Sequence, residues 1–124
     1  MINVIIFEDN YINAFALELM IKQMNLNSLG FYDSADEITS LFNANKIDFI
    51  LMDIELKGEL SGIDAAKKLR KFSNVPMIFL SGNSSSAVIA QTKSIRNSSF
   101  ISKPYTENAL RDKFIEFGVF NRTQ

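Results

Sequence analysis

Polar side chains capable of phosphate or metal chemistry follow four short apolar runs of the chain, each at the point where the run ends. Glu8 and Asp9 follow residues 2–7, Asp53 follows residues 47–52, Ser81 follows residues 77–80, and Ser102 and Lys103 follow residues 100–101. If these runs are parallel strands of one sheet, their carboxyl ends share one edge, where open α/β sheets bind their ligands. The sequence therefore predicts one site that combines three carboxylates, a hydroxyl and an ammonium group.

The three carboxylates of this site predict a bound divalent cation. Gathered at one edge, Glu8, Asp9 and Asp53 would repel one another and raise each other's pKa unless a cation lay among them. Mg²⁺ fits such a set, because it prefers carboxylate oxygens and water and also binds phosphate oxygens. The chain has no His and no Cys, so the usual nitrogen and sulfur ligands are excluded. We therefore expect Mg²⁺ as the cofactor.

Asp53 is the predicted nucleophile of the site, since carboxylates are ionised at neutral pH and can form an aspartyl phosphate. Lys103 would bring a positive charge to the incoming phosphoryl oxygens, and the Ser81 hydroxyl can donate a hydrogen bond to the same group. Phosphoryl transfer depends mainly on positioning and charge neutralisation, so this nucleophile needs no general base. The pattern indicates a phosphoryl-group acceptor.

Composition limits the class of protein. The 124 residues suffice for one domain with a single core, and we expect that domain to cover residues 1–118, with a tail at residues 119–124. The net charge of −1 does not favour nucleic-acid binding. No apolar run approaches the ~20 residues that cross a bilayer, and no basic leader precedes the first run. We expect a cytoplasmic protein with no nucleic-acid or membrane partner.

Five strand and helix patterns alternate along the chain. Residues 2–7 are nearly all apolar, as in a strand covered on both faces, and further strands are predicted at residues 29–32, 47–52, 76–80 and 99–102. Apolar residues at helical spacing predict the first helix at Ile12, Phe15, Ala16, Leu19, Met20 and Met24, the third at Ile63, Ala66 and Leu69, and the last at Leu110, Phe114 and Phe117. These units predict an α/β fold, a doubly wound sheet of five parallel strands with helices on both faces.

Three finer expectations concern the helices. The spacing of Ser34 and Glu37 matches a capping box that would open the second helix. The basic residues around Arg70 indicate a solvated face of the third helix. The fourth helix, residues 87–95, is weakly apolar, so we expect it to be the least firmly packed.

Taken together, these segments resemble the response-regulator receiver domain from Ile2 to about Phe117. The resemblance is carried by Asn-Val-Ile-Ile-Phe-Glu-Asp-Asn at residues 3–10, Phe-Ile-Leu-Met-Asp at residues 49–53, Phe-Leu-Ser-Gly at residues 79–82 and Ile-Ser-Lys-Pro at residues 101–104. It implies a flavodoxin-like (βα)5 fold with strand order 2-1-3-4-5. It also implies a two-component signalling protein, a phosphoacceptor and not an enzyme, of the single-domain, chemotaxis-regulator-like kind.

The resemblance also implies roles for individual residues. Mg²⁺ would be held by Glu8, Asp9, Asp53 and the backbone carbonyl of Glu55. Asp53 would take a phosphoryl group from the phosphohistidine of a sensor histidine kinase or a histidine phosphotransfer protein, and the protein would dephosphorylate itself. Ser81 and Lys103 would hold the modified state, Phe100 would be the switch aromatic, and a downstream effector would bind the changed surface of the fourth helix, fifth strand and last helix.

Some features depart from the family or fit other proteins. The stretch from Asp53 to Gly62 lacks the Met-Pro common in this loop and is one residue longer than its commonest form, and Glu55 and Asn83 occupy positions that vary. A phosphoaspartyl hydrolase of the haloacid-dehalogenase kind would use similar side chains, but its nucleophile normally ends the first strand. A binding module that keeps the receiver shape without phosphorylation is the other alternative. Flavin binding is disfavoured, because the acidic pair after the first strand would repel the ligand's phosphate.

Overall fold

The computed structural model describes residues 1–120 of the chain, which form five strands and five helices in alternation. The strands are β1 (Asn3–Phe7), β2 (Asn27–Tyr32), β3 (Phe49–Asp53), β4 (Met77–Ser81) and β5 (Ser98–Ser102). The helices are α1 (Tyr11–Gln23), α2 (Ile38–Ala44), α3 (Gly62–Leu69), α4 (Ser86–Lys93) and α5 (Glu107–Glu116). The predicted alternation of strands and helices is confirmed.

All five strands are parallel and lie in the order β2-β1-β3-β4-β5, which confirms the flavodoxin-like order that the resemblance implied. The central strands β3 and β4 are buried at every position, whereas the edge strands β2 and β5 are mostly half-buried. This difference explains why the central strands are continuous apolar runs and the edge strands also carry Asn and Ser.

Two hydrophobic clusters cover the two faces of the sheet, because successive strand residues point to opposite sides. Ile5 and Phe7 of β1 belong to the cluster that contains the buried residues of α2 and α3. Val4 and Ile6 belong to the cluster that contains Leu17 and Ile21 of α1 and the buried residues of α5. The sheet is therefore doubly wound, as predicted.

The buried face of α1 differs from the one that the apolar spacing indicated. Leu17 and Ile21 are buried, whereas Ile12, Phe15 and Leu19 are 78%, 50% and 46% exposed. Of the predicted set, Met24 is buried and Met20 packs against the core, so the period predicted the helix correctly but placed its N-terminal part on the wrong face. The exposed set leaves an apolar surface on α1.

The predicted capping box at the start of α2 does not form. The helix begins at Ile38 with Glu37 as its N-cap, and the cap makes no side-chain hydrogen bond. The Ser34 hydroxyl instead accepts a hydrogen bond from the Asp36 N–H at 3.1 Å, and Ser34 forms an isolated β-bridge with Lys57. The segment before α2 is thus held by the loop after β3, which keeps it out of the helix.

Arg70, predicted to be solvated, is 6% exposed at the C-terminal end of α3. Its guanidinium donates hydrogen bonds to the carbonyl oxygens of Ser73 (3.3 Å), Arg96 (2.8 Å) and Asn97 (3.1 Å). Arg96 donates in return to the Arg70 carbonyl at 2.7 Å. Burial, and then the charge of Arg96, lowers the pKa of Arg70 to about 10, so it stays protonated at neutral pH. This Arg70–Arg96 pair ties the end of α3 to the segment between α4 and β5.

The chain continues past α5 against the body of the domain. The Val119 N–H donates to the Phe114 carbonyl at 3.1 Å, and the Phe120 ring packs edge-on against Phe114 with centroids 6.2 Å apart. The remainder of the predicted tail, residues 121–124, lies outside the described residues. Within residues 1–120, none of the helices combines the length and apolar character needed to cross a membrane.

Candidate functional site

The edge formed by the carboxyl ends of the strands, here called the C-terminal rim, brings the predicted site residues together. The register of the sheet pairs Phe7 with Met52, Asp53 with Leu80, and Ser81 with Ser102, so residues that follow these strands meet at one edge. An open cleft of about 450 Å³ lies there, here called the acidic cleft. It is lined by Glu8, Asp9, Asn10, Asn13, Asp53, Glu55, Ser81, Gly82, Asn83 and Lys103.

Lys103 joins two of the carboxylates in the acidic cleft. Its Nζ donates to both carboxylate oxygens of Glu8, at 3.0 and 2.9 Å, and to Asp53 Oδ2 at 2.8 Å. Glu8 and Asp53 are only 2% and 5% exposed, so water screens these ion pairs weakly. Side chains from β1, β3 and β5 are thereby held in contact.

Three carboxylates of the cleft are close enough to share one ion. Glu8, Asp9 and Asp53 each offer a carboxylate oxygen, and these oxygens all lie within 4.8 Å of one another. Glu8 and Asp53 are buried and Asp9 is half-buried, so the set is open on one side. An all-oxygen set of this kind fits Mg²⁺, which binds few carboxylates and retains several waters.

Burial and the opposing charges shift two pKa values in the cleft. Desolvation, followed by contact with the Asp53 carboxyl, raises the pKa of Glu8 to about 7 even though Lys103 opposes the shift. Desolvation by itself would lower the pKa of Lys103, but its hydrogen bonds to Asp53 and Glu8 together raise the pKa above its ordinary value. Lys103 is therefore charged at neutral pH, whereas the pKa of Glu8, about 7, lies close to neutral pH.

Asp53 and Ser81 each accept a hydrogen bond from a nearby backbone N–H group. Asp53 Oδ1 accepts from the Glu55 N–H at 3.1 Å. The Ser81 hydroxyl oxygen accepts from the Asn83 N–H at 2.9 Å, and Ser81 is 1% exposed. The hydroxyl hydrogen of Ser81 remains free to donate to a group that enters the cleft.

Asn13 is a cleft residue that sequence analysis missed. Its side-chain Nδ2 lies 3.4 Å from Glu8 Oε1, and its N–H donates to the Asn10 side chain, the N-cap of α1, at 2.9 Å. The sequence contained a signal for this position. Asn10, directly after the acidic pair, is a preferred N-cap residue, and a helix that begins there places Asn13 in its first turn, next to the cleft.

Phe100 lies outside the acidic cleft, on the face that α4 covers. It is half-buried against the cluster beneath α2 and α3. Together with Ile89 and Thr92 of α4 and Lys113 of α5, it lines a second cavity, of about 430 Å³. Thr92 is the one buried residue of α4, which agrees with the predicted weak packing of this helix, although α2 likewise buries only Ile38.

The sequence comparison defines the class of this protein. The chain belongs to the response regulator receiver domain family, which it matches over residues 4–115. It is 28% identical over 109 residues to the autoinducer 1 sensor kinase/phosphatase LuxN of Vibrio campbellii. That alignment covers 87% of this chain but 12% of LuxN, so the chain corresponds to a small part of that relative.

Solved structures show the same fold. A two-component response regulator from Clostridium difficile superposes with a TM-score of 0.87 at 17% identity, covering 96% of this chain and 97% of that one. The receiver domain of a sensor histidine kinase from Pseudomonas aeruginosa, solved with a magnesium ion coordinated in its active site cleft, gives a TM-score of 0.81 at 20% identity. Its alignment covers 92% of this chain and 94% of that one. The resemblance and the fold class inferred from the sequence are confirmed.

Proposed function

We propose that this domain accepts a phosphoryl group on Asp53, with Mg²⁺ held by Glu8, Asp9, Asp53 and the backbone carbonyl of Glu55. The observation that carries the proposal is the contact of the Lys103 ammonium with both Asp53 and Glu8, beside a third carboxylate within 4.8 Å. An ammonium, an acceptor carboxylate and an oxygen-only cation site are the groups that phosphoryl transfer to a carboxylate requires.

The chain's own residues divide the work of the transfer. A carboxylate oxygen of Asp53 forms the bond to phosphorus while the bond from phosphorus to the donor's imidazole nitrogen breaks. The Lys103 ammonium, 2.8 Å from Asp53 Oδ2, then binds the negatively charged phosphoryl oxygens, and the Ser81 hydroxyl donates a hydrogen bond to one of them. Mg²⁺, held by the same carboxylates, would supply further positive charge to these oxygens.

The proposed donor is a phosphohistidine on a sensor histidine kinase or a histidine phosphotransfer protein. The exposed apolar surface of α1 supports this choice, because it adjoins the cleft: Asn10 and Asn13 line the cleft, while Ile12 and Phe15 are 78% and 50% exposed. A partner helix that packs on α1 could bring its histidine over Asp53.

The proposed output is a changed surface of α4, β5 and α5 that includes Phe100 and is read by an effector protein. Phosphorylation adds close to two negative charges, and a charge-assisted hydrogen bond from Ser81 contributes about 1.5–3 kcal/mol. A shift from 1:99 to 99:1 needs about 5.5 kcal/mol, so Lys103 and the cation must contribute as well. The loose packing of α4 makes it the element that such an energy can move.

Intact-mass measurement after incubation with acetyl phosphate and Mg²⁺ tests the proposal. We expect one phosphoryl adduct on the wild type, none on Asp53→Ala, and an unchanged adduct on Asp112→Ala, which removes an exposed carboxylate from α5. An adduct on Asp53→Ala would identify a different acceptor. An unmodified wild type would instead favour the binding module that keeps the receiver shape without phosphorylation.

The hydrolase alternative is not proposed, because the chain belongs to the receiver family. A single-domain protein, a cytoplasmic location and a domain boundary at residue 118 stay predictions from the sequence.

A further inference from the structure

The β3–α3 loop, residues 54–61, contains Glu55 and is buried only at Ile54. Leu56 and Leu60 are half-buried against the cluster beneath α2 and α3, whereas residues 57–59 at the tip of the loop are exposed. Little apolar surface therefore fixes the tip, and its conformation depends on the partners of its backbone groups.

Asp36, in the segment before α2, supplies those partners. Its Oδ1 accepts from the N–H groups of Glu59 (3.1 Å) and Leu60 (3.0 Å), and its Oδ2 accepts from Glu59 at 3.0 Å. We refer to these bonds as the Asp36 clamp. The same N–H groups, Glu59 first, lower the pKa of Asp36, so the carboxylate is ionised at neutral pH and its bonds are charge-assisted.

Gly58 allows the loop to approach Asp36 closely. Its φ of +89° lies in the left-handed region, and a Cβ at this position would overlap Asp36 Oδ2 and lie 2.6 Å from Ser34 Oγ. Lys57, the residue before Gly58, adds another attachment, since its N–H donates to the Asp33 carbonyl at 3.0 Å. The tip of the loop is thus shaped to fit residues 33–36.

Glu55 lies between the two ends at which the loop is held. At the base, the Gly62 N–H donates to the Ile54 carbonyl at 2.8 Å, and the Glu55 N–H donates to Asp53 Oδ1 at 3.1 Å. At the tip, the Asp36 clamp holds the chain four and five residues after Glu55. The segment that contains Glu55 is therefore held at both of its ends.

From these contacts we propose that Asp36 is a positioning residue for Mg²⁺ binding, which fixes the β3–α3 loop so that the Glu55 carbonyl points into the acidic cleft. The inference rests on the proposed function, since it takes that carbonyl as a metal ligand. We expect removal of the clamp to free the loop without removing any carboxylate of the cleft, because Asp36 does not line the cleft. Partners that orient metal ligands typically change metal affinity by one to two orders of magnitude.

Calorimetric titration of the full chain with MgCl₂ tests this role with matched variants. We expect Asp36→Ala to weaken Mg²⁺ binding on the order of tenfold. Asp36→Asn should bind with intermediate affinity, because one amide oxygen can still accept from both N–H groups. Glu37→Ala removes the same charge one residue away, from an exposed side chain that makes no cap hydrogen bond, and should bind Mg²⁺ like the wild type.

A pair of glycine variants tests the clamp without touching Asp36. Gly58→Ala and Gly30→Ala both place a side chain at positive φ, but a Cβ at Gly30 would meet no atom within 4 Å. Only Gly58→Ala should therefore weaken Mg²⁺ binding. Hydrogen exchange of residues 55–60 should be faster in Gly58→Ala and Asp36→Ala than in their controls.

Three outcomes would overturn the inference. Wild-type Mg²⁺ affinity in Asp36→Ala, together with faster exchange of residues 55–60, would show that the loop does not position a ligand. Equal losses of affinity in Asp36→Ala and Glu37→Ala would show an effect of net charge alone. Both results leave the proposed function intact, whereas a wild type that fails to bind Mg²⁺ would overturn the proposed function and this inference together.

Discussion

Lys103 compensates two carboxylates that would otherwise repel each other in a buried place. Glu8 and Asp53 are almost fully buried, and the Lys103 ammonium is within 3.0 Å of both. Burying these charges costs desolvation energy, which the ion pairs with Lys103 offset only in part. Removing the ammonium would leave the cost without the compensation.

We therefore predict that Lys103→Met lowers the free energy of unfolding of the metal-free domain by about 2–4 kcal/mol, since breaking a buried ion pair leaves uncompensated charge. Urea denaturation in EDTA measures this change, and added Mg²⁺ should restore part of the loss. Lys22→Met is the control, because Lys22 is exposed and 3.7 Å from Glu18, a pair expected to contribute less than about 1 kcal/mol. Equal destabilisation by the two substitutions would contradict this account of the cleft.

The raised pKa of Glu8 predicts that Mg²⁺ binding depends on pH. Its pKa is about 7 in the metal-free fold against 4.5 for the free side chain. Between these values the folded protein holds a proton that Mg²⁺ must displace, so affinity should rise with pH and level off above about 7. For the same reason, the contribution of Glu8 to metal-free stability is present below pH 4.5 and is lost as pH rises through about 7.

Calorimetry at pH 6 in buffers of different ionisation enthalpy measures this proton directly. We expect the apparent binding enthalpy to vary with the buffer at pH 6 and to vary little at pH 8, where Glu8 is already ionised. An affinity for Mg²⁺ that is constant from pH 5.5 to pH 8 would rule out Glu8 as the titrating ligand.

Among the helices, α3 and α4 differ most in how firmly they are attached. Helix α3 buries five of its eight residues, whereas α4, of the same length, buries only Thr92. Elements with few buried contacts open at low free energy. The difference supports the proposal that α4, which begins five residues after Ser81, responds to phosphorylation of the cleft while α3 stays in place.

We predict that hydrogen exchange in α4 is faster than in α3, and that a beryllofluoride phosphate mimic with Mg²⁺ changes exchange in α4, β5 and the start of α5. The central strands β1 and β3 should exchange equally slowly with and without the mimic, which provides an internal control. Mass-spectrometric exchange of the full chain measures both. Equal protection of α4 in the two states would contradict the proposed output surface.

For the molecule as a whole, the sequence was sufficient to predict the sheet and the cleft. A strand covered on both faces is a continuous apolar run, and its carboxyl end falls at the rim, so Asp53 and Ser81 could be placed from the apolar runs alone. The strand order came from the family resemblance. Periodicity reports which residues share a helix face, but not which of two apolar faces of α1 meets the sheet, and so Ile12 was assigned wrongly.

Contacts between distant loops account for the other differences. Asp36 binds residues 23 and 24 positions away, and Arg70 binds carbonyl groups 26 and 27 positions away. Local patterns predicted a capping box from Ser34 and Glu37, which flank Asp36, and a solvated position for Arg70, because such patterns span only about one turn of helix. Asp36 and Arg70 show that polar residues near helix ends can instead serve tertiary contacts.

The Arg70–Arg96 pair has a mechanical consequence for α4. The Arg70 guanidinium donates hydrogen bonds to the carbonyl groups of residues 96 and 97, just after the C-terminal end of α4. These residues lie at the edge of the sheet opposite the acidic cleft. These hydrogen bonds hold the chain just beyond that end of the helix, whereas the N-cap Ser85 lies four residues after Ser81 in an exposed turn. If phosphorylation pulls on Ser81, we therefore expect the N-terminal end of α4, near Ser85, to move further than its C-terminal end near Ser94.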